Sequence, residues 1–254
     1  MNALTISRLR SLLSVVCLSL LLVGCATSNR TVNNLPEVPA KHTIAEISDG
    51  YVARVEDPWG GFNRSMYKFN YHFDKYAFLP VVRGYEFIMP TVAQQGVSNF
   101  FENLGEIRNF YNSVLQGKGG QAMTAFGRFL TNTTIGIGGL FDPATSMGLA
   151  QKKEDFGITL NTWGVGRGPY VVLPVLGPNT VRSTTGLLVD GVVRSEMLDN
   201  GTGWSNGELN SLTMLDAIDT RHNQPFRYYE SGYPFEYEMV RFLYVEKREI
   251  DAMK

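Results

Sequence analysis

DPWGGFNRSMYKFNYHFDKY, residues 57–76, is the segment from which the fold class of this chain follows, because two stripes of residues in it repeat at helical spacing. One stripe is apolar and mostly aromatic and the other is polar; they consist of Phe62, Met66, Phe69, Phe73 and Tyr76, and of Asn63, Tyr67, Asn70 and Asp74. Asp57 followed by Pro58 is typical of a helix start. We therefore predict an α-helix that begins here.

The apolar stripe of this helix has two interpretations. The helix either packs the stripe on a hydrophobic core or lies in the plane of a membrane interface with the stripe in lipid. Periodicity alone favours the core-facing arrangement. The charged residues on the other sides of the helix exclude insertion across a bilayer.

Two more amphipathic helices are predicted, over about residues 98–116 and 120–132. Their apolar residues recur every three or four positions, so we expect these to face inward: Phe101, Leu104, Ile107, Tyr111, Val114 or Leu115, and Met123, Phe126, Phe129 and Leu130. The charged residues outside the first of these stripes are expected to face outward: Glu102, Glu106 and Arg108.

Capping boxes mark two helix starts. Thr91 and Gln94 form one, and Ser205 and Glu208 form another that opens a late helix. The last predicted helix covers about residues 235–253, and its many charges indicate a surface that faces water.

The middle of the chain is poor in charge and rich in glycine. Fifteen of the 26 glycines lie between residues 117 and 191, and residues 119–150 contain only two charged side chains. Such sequence must lie inside the protein or against lipid, with glycines that permit close packing and tight turns. The run at 170–176 is the one strand-like segment, and Pro174 weakens it.

Residues 1–24 are typical of a signal peptide, with a basic start and an apolar run at 12–23 that is too short to span a bilayer. The run ends in Leu22-Val23-Gly24-Cys25, which resembles a bacterial lipobox. We predict cleavage before Cys25, acylation of this cysteine and a polar tether over residues 25–56. The alternative is an ordinary secretory signal that happens to contain a cysteine.

Composition excludes several classes of function. A net charge of −1 is not that of a nucleic-acid-binding protein. Both cysteines precede residue 26, and the three histidines stand in no metal-ligand motif. GVGRGP at 164–169 departs from the dinucleotide-binding pattern at its sixth position, and neither a P-loop nor a GxSxG nucleophile motif is present. We therefore expect no catalytic site, no cofactor and no metal.

Several long motifs, in this order, resemble those of the MlaA/VacJ lipoprotein family: DPWGGFNRSMYKFN (57–70), NFFENL (99–104), LQGK (115–118), RFLTNTTIGIGGLFDPAT (128–145), EDFG (154–157) and WGVGRGPYVVLPVLGP (163–178). The resemblance is strongest over residues 57–195 and implies a single domain over 57–254. It implies a mainly α fold with little β, in which amphipathic helices form a ring embedded in the inner leaflet of the outer membrane around a central amphipathic channel.

The resemblance also implies a function. Members of this family remove misplaced glycerophospholipids from the outer leaflet of the Gram-negative outer membrane and pass them to a soluble periplasmic carrier. The carrier delivers them to an inner-membrane ABC transporter, and the lipoproteins associate with trimeric porins. On this basis the chain is expected at the periplasmic face of the outer membrane, held there by its acylated cysteine.

Two groups of residues are candidates for the lipid pathway. The polar stripe, Asn63, Tyr67, Asn70 and Asp74, is a candidate for orienting or gating the lipid, with ordinary helix–helix hydrogen bonding as the alternative. Three arginines are candidates for head-group contact, with solvated surface positions as the alternative: Arg167, Arg182 and Arg194.

Two other functions remain open at this stage. One is a structural lipoprotein that associates with porins and affects lipids indirectly. The other is an envelope lipase or acyltransferase whose catalytic residues come together only in the folded chain.

Overall fold

The computed structural model describes residues 55–202, 205–230 and 232–253, and over these ranges the chain is mainly helical, as predicted. The helices are α1 (Gly60–Phe73), α2 (Leu79–Ile88), α3 (Thr91–Leu115), α4 (Gly119–Thr134), α5 (Pro143–Ser146), α6 (Phe156–Thr162), α7 (Val181–Thr202), α8 (Asn206–Asn223) and α9 (Glu236–Ala252). A π-helical turn, Asp74–Phe78, joins α1 to α2. The predicted signal peptide, Cys25 and the predicted tether up to residue 54 lie outside the described residues.

Two strands form a small antiparallel hairpin, β1 (Tyr170–Leu173) and β2 (Gly177–Thr180), with Tyr170 opposite Thr180. The first strand is the predicted one, and it ends where Pro174 removes a backbone donor. The second strand has no apolar alternation in the sequence and was not predicted. None of the helices in the described ranges combines the length and the apolarity that a membrane crossing requires.

The predicted helix starts are partly correct. The capping box of Ser205 and Glu208 is confirmed at the start of α8. The box at Thr91 is wrong, because Pro90 occupies the N-cap and the Gln94 side chain donates instead to the Met89 carbonyl at 2.7 Å. Helix α3 begins at Thr91, seven residues before its predicted start at about residue 98.

The start of α1 is also displaced from the prediction. The helix begins at Gly60, with Trp59 at the N-cap. The carboxylate of Asp57 does not cap it, because it accepts hydrogen bonds from Asn63 Nδ2 at 2.6 Å and from the Tyr237 hydroxyl on α9.

The core-facing interpretation of the apolar stripe on α1 is wrong. Phe69 is 45% exposed, whereas Asn70 beside it is 2% exposed, and Phe62 and Tyr76 face outward as well. The polar stripe faces inward because its side chains find hydrogen-bond partners on the hairpin and on α9, which removes the cost of burying them.

Helix α4 shows the same inversion, and α3 shows it in part, because Phe101 is buried and Glu102 is exposed as predicted. Glu106, expected outside, is 1% exposed and pairs with Arg128, which is 2% exposed, across the contact between the two helices. The predicted inward residues Met123, Phe126 and Leu130 are exposed. Asparagines occupy much of the buried side instead: Asn103, Asn109, Asn112 and Asn132. Helices α1 and α4 thus turn polar residues inward and much of their apolar stripes outward, whereas α3 buries polar residues and also keeps Phe101 of its predicted stripe buried.

Tyrosines dominate the hydrophobic core cluster. Tyr67, Tyr170 and Tyr237 are buried in it together with Val172 and Val245. The ring of Tyr67 meets that of Tyr237 edge to face at a centroid distance of 5.5 Å. This cluster ties α1, the hairpin and α9 together.

Helices α6 and α7 cross in direct backbone contact. A Cβ atom at Gly186 would lie 2.3 Å from the backbone nitrogen of Gly157, so neither position has room for a side chain. The crossing brings α7 close to α6 and so sets the position of one wall of the cavity described below.

Candidate functional site

A cavity of about 810 Å³ lies between α3, α7 and α8. The segment that contains Gln151 and Lys153 lines one edge of it, and Leu176 at the tip of the hairpin lines another. Its size lies within the range of pockets that bind ligands of several hundred daltons.

Apolar side chains make up a large part of the cavity lining. They come from α3 and α7, which contribute Phe101, Leu104, Ile107, Leu187, Val193, Met197 and Leu198. Gly105 and Gly191 line the cavity as well, and a Cβ atom at either glycine would meet no other atom within 4 Å. The lining therefore accommodates hydrocarbon and leaves open space beside these two glycines.

Charged side chains of both signs share the same lining. The anions are Glu102, Asp190, Asp216 and Asp219, and the cations are Arg108, Lys153 and Arg194. Two pairs link them: Lys153 lies 3.3 Å from Glu102, and Arg194 Nη1 donates to Asp216. The cavity is thus amphipathic, with apolar side chains beside ionic groups.

Asp190 is held by three protein donors. The Tyr111 hydroxyl and Asn112 Nδ2 donate to its Oδ1, and the Phe156 backbone N–H donates to its Oδ2 at 3.0 Å. Burial raises the pKa of Tyr111 above its usual value, and the hydrogen bond to Asp190 raises it further. Asp190 therefore fixes α7 against α3 and α6.

Asp219, on α8, is 4% exposed and is less well compensated than Asp190. It accepts hydrogen bonds from Ser98 and Asn223, but burial outweighs them and raises the pKa of Asp219. Burial also raises the pKa of Tyr85 to about 12, with Asp219 adding to the effect. The cavity lining thus includes one carboxylate, that of Asp219, whose ionised form is disfavoured by burial.

Two cavity-lining arginines each hold a buried nitrogen without a hydrogen-bond partner in the described part of the chain. They are Nε of Arg108 on α3 and Nη2 of Arg194 on α7. Buried polar groups are normally hydrogen-bonded, so such groups beside a cavity indicate a place for an outside acceptor.

The structure places the predicted polar stripe away from the residues that line this cavity. Asn63 holds β1, donating to the Tyr170 carbonyl at 3.1 Å and accepting from the Val172 N–H at 2.8 Å. Asn70 holds the hairpin tip, donating to the Leu173 carbonyl and accepting from the Val175 N–H. Both asparagines thus bridge helix and hairpin, and a gating role for them stays a prediction.

The other two members of the stripe form buried side-chain pairs. The Tyr67 hydroxyl donates to Glu236 at 2.7 Å. Asp74 accepts two hydrogen bonds of 2.7 Å from Arg221 at the end of α8. Asp74 therefore links the π-helical turn to one of the helices that form the cavity.

The three arginines predicted to contact a head group do not all line the cavity. Arg194 lines the cavity. Arg182 is buried, with Nη1 donating to Asn161 and to the Val165 carbonyl. Arg167 lines a smaller pocket of about 210 Å³ near Val55. Arg167 and Arg182 are neighbours, because the Arg182 backbone N–H donates to the Arg167 carbonyl at 3.1 Å, but neither of them lines the cavity that Arg194 lines.

Sequence reasoning missed Arg108 as a site residue. The residue lies just outside the apolar stripe of α3, which is why we expected it to face outward. A signal was present in the sequence: the polar residues at 103, 106, 109 and 112 also recur at nearly helical spacing, and the small residue Gly105 interrupts the apolar side. Two competing stripes on one helix do not reveal which of them is buried.

The outer surface is unusually apolar for a folded chain. Phe87 is 91% exposed and Val92 is 80% exposed. Other strongly exposed apolar side chains are spread over several helices and the turn after α4: Ile88, Met123, Ile135, Ile137, Leu188 and Met214. Large apolar exposure of this kind marks surfaces that contact lipid or another protein.

Within the described ranges, no group of three or more histidine, cysteine, aspartate or glutamate side chains is placed to hold a metal ion. The fold and the cavity define a class: an α-helical protein with apolar side chains turned outward and an amphipathic cavity inside.

The chain belongs to the MlaA lipoprotein family, whose model matches residues 55–251. It is 43% identical over 142 residues to the intermembrane phospholipid transport system lipoprotein MlaA of Escherichia coli, a match that covers 53% of this chain and 55% of that protein. It is 32% identical over 184 residues to the protein of the same name from Haemophilus influenzae, covering 71% of this chain and 66% of that one. The matches thus span between about half and two thirds of the length of these relatives.

A solved structure described as "Structural basis for maintenance of bacterial outer membrane lipid asymmetry" has the same fold. It superposes with a TM-score of 0.61 at 34% identity, covering 78% of this chain and 99% of that one.

Proposed function

We propose that this protein is an outer-membrane lipoprotein that moves glycerophospholipids out of the outer leaflet through its amphipathic cavity. The lipids then pass to a periplasmic carrier for return to the inner membrane, which maintains the lipid asymmetry of the outer membrane. The proposal takes the function from the names of the relatives. The observation that carries it for this chain is the inversion of α1 and α4, with apolar residues outside, together with a cavity that both apolar and charged side chains line.

The inverted helices support a position in the membrane. Buried asparagines and ion pairs satisfy the polar groups internally, so the outer surface is free to contact acyl chains. Helices too short or too polar to cross a bilayer lie in the plane of one leaflet. The domain over 57–254 accordingly forms a ring seated in the inner leaflet, and acylated Cys25 anchors it there.

The cavity supports a passage with no chemical step on the lipid. A phospholipid that crosses a bilayer unaided moves its polar head group through hydrocarbon, at a cost of several kcal/mol. A wall that has both Leu104 and Arg108 offers contacts to the acyl chains and to the head group at the same time. The protein thus lowers the barrier by replacing hydrocarbon with polar groups beside the head group.

Partners follow from the same proposal. A trimeric porin places the passage at the outer leaflet, and a soluble carrier takes the lipid on the periplasmic side. The net direction of transport is set by the carrier and by the inner-membrane ABC transporter that empties it.

The first experiment measures surface-exposed glycerophospholipid in intact cells, by digestion with added phospholipase and mass spectrometry of the products. We expect the amount to rise when the gene is deleted, to return to normal with the wild-type gene and to stay high with Cys25→Ala. An unchanged amount in the deletion strain would refute the proposal.

A second experiment incubates phospholipid with the pure protein and analyses the lipid by mass spectrometry. We expect the lipid to stay intact. Cleaved or transferred acyl chains would indicate a lipase or acyltransferase instead.

Gly105→Phe separates passage through the cavity from an indirect effect of porin association. A Cβ atom at Gly105 would meet no other atom within 4 Å and the position lines the cavity, so we expect a phenylalanine there to narrow the passage and leave the fold intact. The matched control is Gly84→Phe, at a helical glycine on α2 that also has free space and does not line the cavity.

We expect Gly105→Phe to leave surface phospholipid high while the protein still co-purifies with porin, and Gly84→Phe to behave as wild type. Normal surface phospholipid with Gly105→Phe would favour a structural lipoprotein whose effect on lipids is indirect.

A further inference from the structure

Arg108 is a cation in the cavity lining without a hydrogen-bond or ion-pair partner among the described residues, although its charge acts through space on Asp155, which Arg248 already pairs. Its Nε atom is buried, and within the described ranges its guanidinium makes neither a hydrogen bond nor an ion pair with another side chain. A buried donor without a partner lowers stability, so a donor of this kind beside a cavity indicates where a ligand supplies the missing acceptor.

The carboxylates around the cavity are already occupied. Asp190 accepts three hydrogen bonds, Asp216 pairs with Arg194, and Glu102 pairs with Lys153. Asp219 accepts from Ser98 and Asn223. The positive charge of Arg108 is therefore available to an anion that enters the cavity.

Arg194 on α7 adds a second donor to the cavity lining. Its Nη1 atom is bound to Asp216, while its Nη2 atom is buried and unpartnered among the described residues. The two guanidinium groups lie on α3 and α7, and apolar side chains such as Leu104 and Leu198 line the space around them. The cavity thus offers donors for a tetrahedral anion next to surface for hydrocarbon.

We infer that Arg108, together with Arg194, binds the phosphate group of an amphiphile whose acyl chains contact the apolar wall. This inference rests on the proposed function and deepens it, because it names the atoms that recognise the lipid head group. The phosphate diester is common to the main glycerophospholipids, so the site recognises the class and does not distinguish its head-group alcohols. Inorganic phosphate presents the same anionic oxygens without acyl chains, so binding of the phospholipid has to be distinguished from binding of the free ion.

Native mass spectrometry of the full acylated chain in detergent tests the inference. The probes are dioleoyl phosphatidylglycerol, dioleoylglycerol with the same chains and no phosphate, and inorganic phosphate. We expect wild type to bind the phospholipid at least about tenfold more tightly than dioleoylglycerol, because a charge-assisted hydrogen bond is lost with the phosphate. Arg108→Gln is expected to remove most of this difference and leave dioleoylglycerol binding unchanged.

Three variants serve as controls. Arg108→Lys keeps the charge but not the two-pronged geometry, and we expect it to retain part of the preference. Lys152→Gln removes a charge from an exposed position outside the cavity lining and should bind as wild type. Arg194→Gln should reduce phospholipid binding less than Arg108→Gln, because one of its donors is already bound to Asp216.

Arg108→Gln is expected to fold normally, since it breaks no hydrogen bond or ion pair of the described residues, and its thermal unfolding temperature should be close to that of wild type. Equal phospholipid binding by Arg108→Gln and wild type would overturn the inference. Arg108-dependent binding of inorganic phosphate as tight as that of the phospholipid would overturn it too, by identifying a site for the free ion.

The cell assay distinguishes failure of this inference from failure of the proposed function. If wild type restores normal surface phospholipid and Arg108→Gln does so equally well, only the inference fails. If wild type neither binds phospholipid nor restores the surface, the proposed function itself fails.

Discussion

Arg128 on α4 donates its Nε–H to the Glu106 carboxylate on α3 over 2.6 Å, and both side chains are almost fully buried. Its Nη2 atom donates to Asp142 at 3.1 Å, and its Nη1 atom donates to the Leu149 carbonyl. Burial opposes the charge of the guanidinium, but the two carboxylates outweigh it and raise the pKa of Arg128. One side chain thus joins α3, α4 and the segment that leads to the cavity.

Removing one partner of this pair leaves the other charge buried and uncompensated. We expect Arg128→Met or Glu106→Gln to lower the free energy of unfolding by about 3–5 kcal/mol. The double variant should lose clearly less than the sum of the two single losses, because neither charge then remains. Chemical unfolding of the protein in detergent, followed by circular dichroism, measures all three.

The exposed pair of Lys153 and Glu102 provides the control. Lys153→Met is expected to change the free energy of unfolding by less than about 1 kcal/mol, because solvent screens that pair. Equal losses in Arg128→Met and Lys153→Met would contradict the role assigned to the buried pair.

Asn70 stabilises a strained residue at the tip of the hairpin. Val175 has a φ of +65°, which is unfavourable for a β-branched side chain, and its N–H donates to Asn70 Oδ1 at 2.7 Å. We expect Asn70→Ala to expose the Val175 amide to hydrogen exchange and to cost about 1–3 kcal/mol, because buried backbone groups lose their partner. Hydrogen-exchange mass spectrometry of the peptide across residues 170–177 measures the change.

Val175→Gly tests the strain itself. Glycine adopts a positive φ without penalty, so this variant should be as stable as wild type or more so. Combined with Asn70→Ala it should recover part of the lost protection. Lower stability of Val175→Gly alone would contradict the account of strain.

The sequence predicts where helices occur more reliably than it predicts which side of each helix is buried. Both stripes of α1 have helical spacing, and choosing between them requires knowing that Asn63 meets the backbone of Val172, 109 positions later in the chain. Periodicity contains no information about such distant partners. The usual preference for apolar burial then gives the wrong side when the surroundings of the protein are lipid rather than water.

The site shows the same limit. Arg194 was a candidate and lines the cavity, whereas Arg182 proves to be committed to Asn161 and to a backbone carbonyl. Arg108 was placed on the outside of its helix. Three helices distant in sequence create the cavity, so an arginine's role depends on which carboxylates the other two helices bring near it.

Exposed Phe87 is expected to insert into lipid. In the unacylated Cys25→Ala protein, Phe87→Glu should lower binding to phospholipid vesicles by about tenfold or more, because the change removes a large apolar contact and adds a charge. Vesicle co-flotation measures the bound fraction. Lys247→Glu on α9, an exposed position on the helix predicted to face water, is the control and should change binding much less. Equal effects of the two substitutions would argue against a lipid-facing surface at α2.

The pairing of Asp155 with Arg248 predicts how stability depends on pH. Two hydrogen bonds of 2.6 and 2.8 Å join the carboxylate at the start of α6 to the guanidinium on α9, and the Ile158 N–H also donates to it. Burial acts against the charge, but Arg248 outweighs it and lowers the pKa of Asp155. A carboxyl whose pKa is lower in the folded state contributes stability above its unfolded pKa, and the contribution is lost as the pH falls through the folded value.

We therefore expect Asp155→Asn to reduce the free energy of unfolding by about 1–3 kcal/mol at neutral pH, because a partly buried ion pair is replaced by a neutral contact. The loss should shrink as the pH falls below about 4, since wild type then also loses the charge. Unfolding curves measured between neutral pH and the acid range test this against Asp199→Asn, an exposed aspartate on α7 whose curve should follow wild type. A constant difference between Asp155→Asn and wild type across the acid range would show that the ionised carboxylate is not what joins α6 to α9.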